Sequence, residues 1–178
     1  MSENAFQQNY RDAIGLFATG VTVLIAEDQN EVYCMTANAV SSLSLDPTQL
    51  LVCPSKNSEF ANHIGLGKII TVNILGKHQE DISNFFACHK SSDKKDEPLY
   101  NYLFSKKISS PRLKDCIASF ACKIKYIHDG GDHWIVVGEI LELYKNKDDI
   151  KPLLFFGGKY HYPLEEEVSL KPSADPYK

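Results

Sequence analysis

Two short runs carry most of the groups in this chain that could do chemistry. The first, Thr36-Ala37-Asn38-Ala39-Val40-Ser41-Ser42-Leu43-Ser44, sets hydroxyls and an amide between two strand-like segments. The second, Cys53-Pro54-Ser55-Lys56-Asn57-Ser58, stands at a strand end just before a helix-like segment. Ser, Thr and Asn in such places most often satisfy local backbone groups or cap helices. The same groups also suit a ligand. Hydroxyls, an amide and backbone N–H groups match the edge of a flat, hydrogen-bonding molecule. Ser, Asn, Lys and the N–H groups at a helix start match a phosphate. A third feature is the segment Asp129-Gly130-Gly131-Asp132-His133, where a histidine follows a hairpin turn. Read alone, His133 is a solvent-exposed turn residue.

The common sequence devices for nucleotide, acyl and metal-hydrolytic chemistry are missing. The chain has no G-x-x-x-x-G-K-[ST], no G-x-G-x-x-G after a strand, no G-x-S-x-G and no H-E-x-x-H. Its five cysteines, Cys34, Cys53, Cys88, Cys116 and Cys122, are odd in number, irregularly spaced and without a C-x-x-C pair. They read as free, mostly buried thiols, and no metal site is expected. A net charge of -4 over 178 residues lacks the basic excess that draws a protein to nucleic acid. No apolar run is long enough to span a bilayer. Met1-Ser2-Glu3-Asn4 is not the basic start of a secretory signal, so a cytoplasmic protein is expected.

The elements that must position these groups are mostly strands. Phe6, Tyr10, Ala13, Ile14 and Phe17 recur at helical spacing, which predicts a helix over 5–17 with one apolar face, stopped by Thr19-Gly20. Residues 20–26, 32–36, 49–53 and 68–75 are strand-like, and 79–87 reads as a short helix. Asn57 or Ser58 could cap a helix through Ile64. The strongest β signal is the pair 117–127 and 134–144 around two glycines, a long hairpin. Residues 153–156 form a last strand before Gly157-Gly158. Segment 88–111 is a polar, then aromatic, excursion read as a mobile loop, and 163–178 reads as a solvated, flexible tail. The whole, 1–178, is expected to be one domain: mainly β, an antiparallel barrel with a few covering helices.

Taken in order, these segments resemble the flavin reductase family of the FMN-binding split-barrel fold, the reductase components of two-component flavin monooxygenases. Phe17-Ala18-Thr19-Gly20-Val21-Thr22-Val23 is similar to the family's opening segment, and Met35-Thr36-Ala37-Asn38 with Ser41-Ser42-Leu43-Ser44-Leu45-Asp46-Pro47 to its flavin loop. Val72-Asn73-Ile74-Leu75, Phe86-Ala87, Gly131-Asp132-His133 and the segment from Pro152 to Tyr160 follow in the family order. Cys34 stands where the family usually has Gly, and Thr48 where it usually has a second Pro.

The resemblance implies a split β-barrel of Greek-key type. A homodimer is expected because a small barrel with an open side and many aromatics in 100–104 and 155–162 has apolar surface to cover. It implies that Thr36, Ala37, Asn38, Ser41, Ser42 and Leu43 line the flavin ring and ribityl chain. Ser55, Lys56, Asn57 and Ser58 would hold its phosphate, and Phe86, Ala87 and Tyr160 would complete the pocket. His133 would contact the nicotinamide nucleotide. Hydride would pass from NADH or NADPH to FMN, with FAD as the alternative flavin, and reduced flavin would go to a partner such as a monooxygenase. FMN is the first expectation because one loop can anchor one terminal phosphate and no segment is evident for an adenine. No protein side chain need be catalytic, since the cofactors carry the chemistry. Three other readings stay open at this point. They are a flavin-binding electron-transfer protein without a nicotinamide site, an oxidase of a phosphorylated vitamin on the same barrel, and a purely structural role.

Overall fold

The structure, a computed structural model, describes residues 3–87, 104–105 and 110–163. In chain order its first half comprises α1 (Glu3–Ile14), β1 (Thr19–Gly20), β2 (Thr22–Asp28), β3 (Glu31–Ala37), β4 (Val40–Leu45), β5 (Thr48–Val52), α2 (Glu59–His63) and β6 (Ile69–Ile74). A 3-10 turn at Lys77–Gln79 leads into α3 (Glu80–Ala87). Then follow β7 (Phe104–Ser105), β8 (Arg112–Leu113), β9 (Ala118–Gly130), β10 (His133–Lys145), β11 (Leu154–Phe156) and β12 (Lys159–His161).

Seven strands form one antiparallel sheet in the order β3-β2-β6-β9-β10-β5-β4. The sheet curls without closing, with β3 and β4 as its edges, which is the expected split barrel. A smaller antiparallel sheet, β1-β11-β12, lies beside it.

Strand β2 shows why the chain folds this way. Val23, Leu24 and Ile25 alternate in direction, yet all three are buried. Leu24 and Ala26 face the barrel interior with Leu50, Val52, Phe60, Ile70, Val72, Ile124 and Val136. Val23 and Ile25 face outward into a second core with Leu75, Phe86, Leu113 and Leu153. Burial of each large aliphatic side chain contributes about 1.5–3 kcal/mol, so a strand buried on both faces ties the two cores together. Asn73 pins the same region: its amide donates to the Val23 carbonyl at 3.0 Å, and its oxygen accepts from Leu113 N–H and the Ser119 hydroxyl at 3.0 and 2.9 Å.

Three local expectations change. The helix at the N-terminus spans 3–14, ending at a turn in which Gly15 N–H bonds the Arg11 carbonyl, while Thr19-Gly20 becomes β1, paired with β11. Its apolar face does not meet the core: Phe6, Tyr10 and Ile14 are exposed, as is Phe17 beyond it. The run from Val40 to Ser44 is not a loop but part of β4, an edge strand paired with β5 and broken by a bulge between Ser42 and Ser44 that turns Leu43 outward. The excursion at 88–111 and the tail at 163–178 lie largely outside the described residues, apart from the short β7–β8 ladder, residues 110–111 and Pro163.

Candidate functional site

The site is a trough built where β3, β4, the 53–58 loop, α3 and the β9–β10 hairpin tip converge. Strand periodicity sets its first wall. Along β3, Cys34 and Thr36 share the face turned toward α3, and the Thr36 hydroxyl donates to the Ser83 carbonyl on α3 at 2.7 Å. Ser83 in turn shares a 2.7 Å hydroxyl contact with Tyr160 on β12. Three separate elements thus meet at Ser83, β3 on its carbonyl and β12 on its hydroxyl.

At the polar end, a cavity of about 210 Å³ is lined by Cys34, Met35, Thr36, Ser55, Ser58, Glu59, Phe86, Ala87 and His133. Ser58 is buried and is the N-cap of α2, accepting from Ala61 N–H at 3.2 Å and donating to the Ser55 carbonyl at 2.7 Å. The loop is stitched to the hairpin. Trp134 N–H donates to the Pro54 carbonyl at 2.9 Å, Lys56 N–H donates to the Asp132 carbonyl at 3.0 Å, and Ser55 pairs with His133. A positive φ of 84° at Gly131 makes the two-residue turn possible. His133 is positioned by Asp132, whose carboxylate lies 2.7 Å from Nδ1.

The middle of the trough, about 270 Å³, is lined by Val21, Thr36, Ala37, Asn38, Ala87, Phe155 and Tyr160. Beyond it opens a larger cavity, about 500 Å³, walled by Arg11, Ile14, Phe17, Thr19, Asn38, Val40, Ser41, Leu51, Cys53 and Phe155 among others. Thr36 and Ala87 are shared by the first two cavities, and Asn38 by the second and third. The trough therefore grades from hydroxyls and imidazole to aliphatic and aromatic walls. This donor set fits a flavin, whose phosphate is joined by a hydroxyl-bearing ribityl chain to a flat ring with a hydrogen-bonding pyrimidine edge and an apolar dimethylbenzene edge.

Of the residues singled out in the sequence, Thr36, Ala37, Asn38, Ser41, Ser55, Ser58, Phe86, Ala87, Tyr160 and His133 line these cavities. Ser42 and Leu43 lie exposed along β4, and Asn57 is exposed, its N–H on the Ser55 hydroxyl at 3.3 Å. Lys56 points to Asp129, Nζ to Oδ2 at 2.5 Å, and over the Trp134 ring at 4.4 Å. That ion pair and the Gly131 N–H hold the Asp129 carboxyl below its ordinary range, and the His133 contact does the same for Asp132. Both are thus anionic at neutral pH. Cys34, Met35 and Glu59 at the polar end, and Ile14, Leu51 and Cys53 at the apolar end, line the cavities without having been expected in the site. Alternation with Thr36 on β3 is the one signal that marks Cys34.

Comparison with known proteins decides the family. The flavin reductase like domain matches residues 14–163. This chain belongs to that family. Among its relatives, the NADH-dependent flavin reductase StyB of Pseudomonas fluorescens is 32% identical over 154 residues, covering 85% of this chain and 87% of that one. The styrene monooxygenase flavin reductase of Pseudomonas putida superposes with a TM-score of 0.79 at 31% identity, over 88% of this chain and 98% of that one. An NADH:FAD oxidoreductase of Streptomyces globisporus, solved with NAD and FAD fragments, gives a TM-score of 0.80 at 27% identity, over 94% and 98%. The family placement agrees with the curled, unclosed antiparallel sheet and with the order of the motifs.

Proposed function

We propose that this protein is an NADH-dependent flavin reductase that passes reduced flavin to a partner monooxygenase. One observation carries the reading: His133 lines the same cavity as Ser55, Ser58 and Thr36. At the hairpin tip the His133 side chain is 44% exposed, so a second nucleotide can reach it from solvent. Relatives bearing the names NADH-dependent flavin reductase and FMN reductase (NADH) support the activity and the electron donor.

Flavin and nicotinamide, when bound, supply the hydride transfer themselves. The chain's part is to bind and to align. Ser55, Asn57 and Ser58 surround the flavin phosphate, and Lys56 braces the loop that carries them. Thr36, Ala37, Asn38 and Ser41 face the ribityl chain and the polar ring edge, and Ser42 and Leu43 flank them along β4. Phe86, Ala87 and Tyr160 form the wall. His133 contacts the nicotinamide nucleotide and fixes its approach. FMN is the proposed flavin, because the polar end is small and has one phosphate-sized set of donors.

A homodimer belongs to the same reading. Phe6, Tyr10, Ile14 and Phe17 present an uncovered apolar surface beside the open end of the trough, and a second copy would cover it. The chain is read as a single cytoplasmic domain. Among the described residues no helix is long and apolar enough to cross a membrane.

Anaerobic addition of NADH to the protein with FMN tests the activity. Loss of the oxidised flavin absorbance at a rate proportional to protein is expected. A bound flavin that stays oxidised would leave only a flavin-binding protein.

A further inference from the structure

Lys56 grips the hairpin tip at two points. Its backbone N–H holds the Asp132 carbonyl at 3.0 Å, and its ammonium holds the Asp129 carboxylate at 2.5 Å. The aliphatic stem crosses Trp134, with Nζ 4.4 Å from the ring centroid, so the side chain is only 24% exposed. Between the two gripped residues lie Gly130 and Gly131, the most freely rotating part of the tip. The Asp129 carboxylate also accepts Gly131 N–H at 2.9 Å through its other oxygen. His133 follows immediately, its ring held by Asp132. Asp129 lies 73 residues from Lys56 in sequence and lines none of the three trough cavities.

We infer that the Lys56–Asp129 pair is a latch that positions His133 for the nicotinamide nucleotide, with Asp129 a positioning residue that never touches the cofactors. The inference rests on the reductase reading given above. Lys56 is then chiefly a brace between the flavin-phosphate loop and the nicotinamide-binding tip, and its charge is spent on Asp129. The latch couples the two subsites: beside the Trp134 N–H to Pro54 carbonyl bond and the Ser55–His133 pairing, it adds one side-chain and one backbone link between the loop and the far side of the tip.

Asp129→Asn is the decisive variant, because an amide oxygen can still accept Gly131 N–H while the ion pair is lost. KM for NADH should rise about threefold to fivefold, the size expected for a well-placed but part-exposed ion pair. The kcat and the dissociation constant for FMN should stay within about twofold. Lys56→Met, which keeps the stem on Trp134, should raise KM for NADH similarly, and the double variant should be no worse than either alone. The exchange Lys56→Asp with Asp129→Lys should recover much of the loss, a result that simple loosening of the fold would not give. If Asp129→Asn leaves KM for NADH unchanged and Lys56→Met weakens FMN but not riboflavin, Lys56 is a phosphate ligand and the latch is wrong. If the wild-type protein does not reduce flavin with NADH at all, the reductase reading fails, and the latch falls with it.

Discussion

The two ends of the trough are built on opposite principles. At the polar end, Ser55, Ser58, Thr36 and His133 are fixed by short hydrogen bonds within one protomer, and every segment there is tied to another. At the apolar end, Ile14, Phe17, Val40, Leu51 and Phe155 enclose more than twice the volume. Their boundary at the end of α1 is exposed, with Ile14 53% and Phe17, just beyond the helix, 72% accessible. Hydrogen bonds are directional and can preorganise a site in advance. Apolar walls gain their stability only when something covers them. On the proposed function, the polar end is the one that selects the nucleotide, and the apolar end is the one that a flat ring and a second copy would complete.

The largest expected effect probes the polar end. The pair Ser55→Ala and Ser58→Ala removes two hydroxyls around the proposed phosphate. A hydrogen bond to a charged group is worth about 1.5–3 kcal/mol, so FMN affinity should fall on the order of tenfold or more. Riboflavin, which has no phosphate, should lose far less in the same titration. Equal losses would put the phosphate elsewhere and erase the contrast between the ends.

At the apolar end the probe is Phe17→Asp. A carboxylate on the uncovered face of the trough should shift light scattering toward the 20.0 kDa protomer and weaken riboflavin and FMN alike. An unchanged oligomer with unchanged affinity for both flavins would show that this surface is not the interface.

Acid should loosen the polar end in a defined direction. Asp129 and Asp132 have folded pKa values below the ordinary one, because of the Lys56 and His133 contacts respectively. A depressed carboxylate contributes stability that is present above its unfolded pKa and lost as pH falls through the folded value. The melting temperature should therefore hold down to about pH 4 and fall below it, with a shallower fall in Asp129→Asn. A thermal melt series across that range reads the difference.

The smallest effect concerns thiols. Cys53 is half-buried in the apolar wall, whereas Cys34 and Cys122 are buried, and burial pushes the Cys122 thiol up to about 12. Site-resolved labelling should find Cys53 modified ahead of these two and slowed by FMN. Equal rates with and without FMN would move the ring away from that wall.

What the sequence made legible is what local chemistry controls. The β9–β10 hairpin follows from two apolar runs around glycines, and Ser58 caps α2 because a serine before a glutamate and an apolar residue is a helix start. Non-local geometry was not legible. Nothing near Lys56 points to Asp129. The apolar face of α1 has the periodicity of a core helix, and periodicity does not say whether the covering surface belongs to the same chain. The Val40–Leu45 strand was hidden because serines at an edge read as loop, while β5 supplies the pairing that makes them a strand.

The most direct test of the account is His133→Ala, followed by steady-state kinetics in NADH and a separate FMN titration. Polar and apolar ends with distinct tasks require that KM for NADH rise on the order of tenfold, the loss of one hydrogen bond to a charged nucleotide, while FMN affinity stays unchanged. An unaltered KM with normal turnover would make His133 an ordinary turn residue and contradict the account.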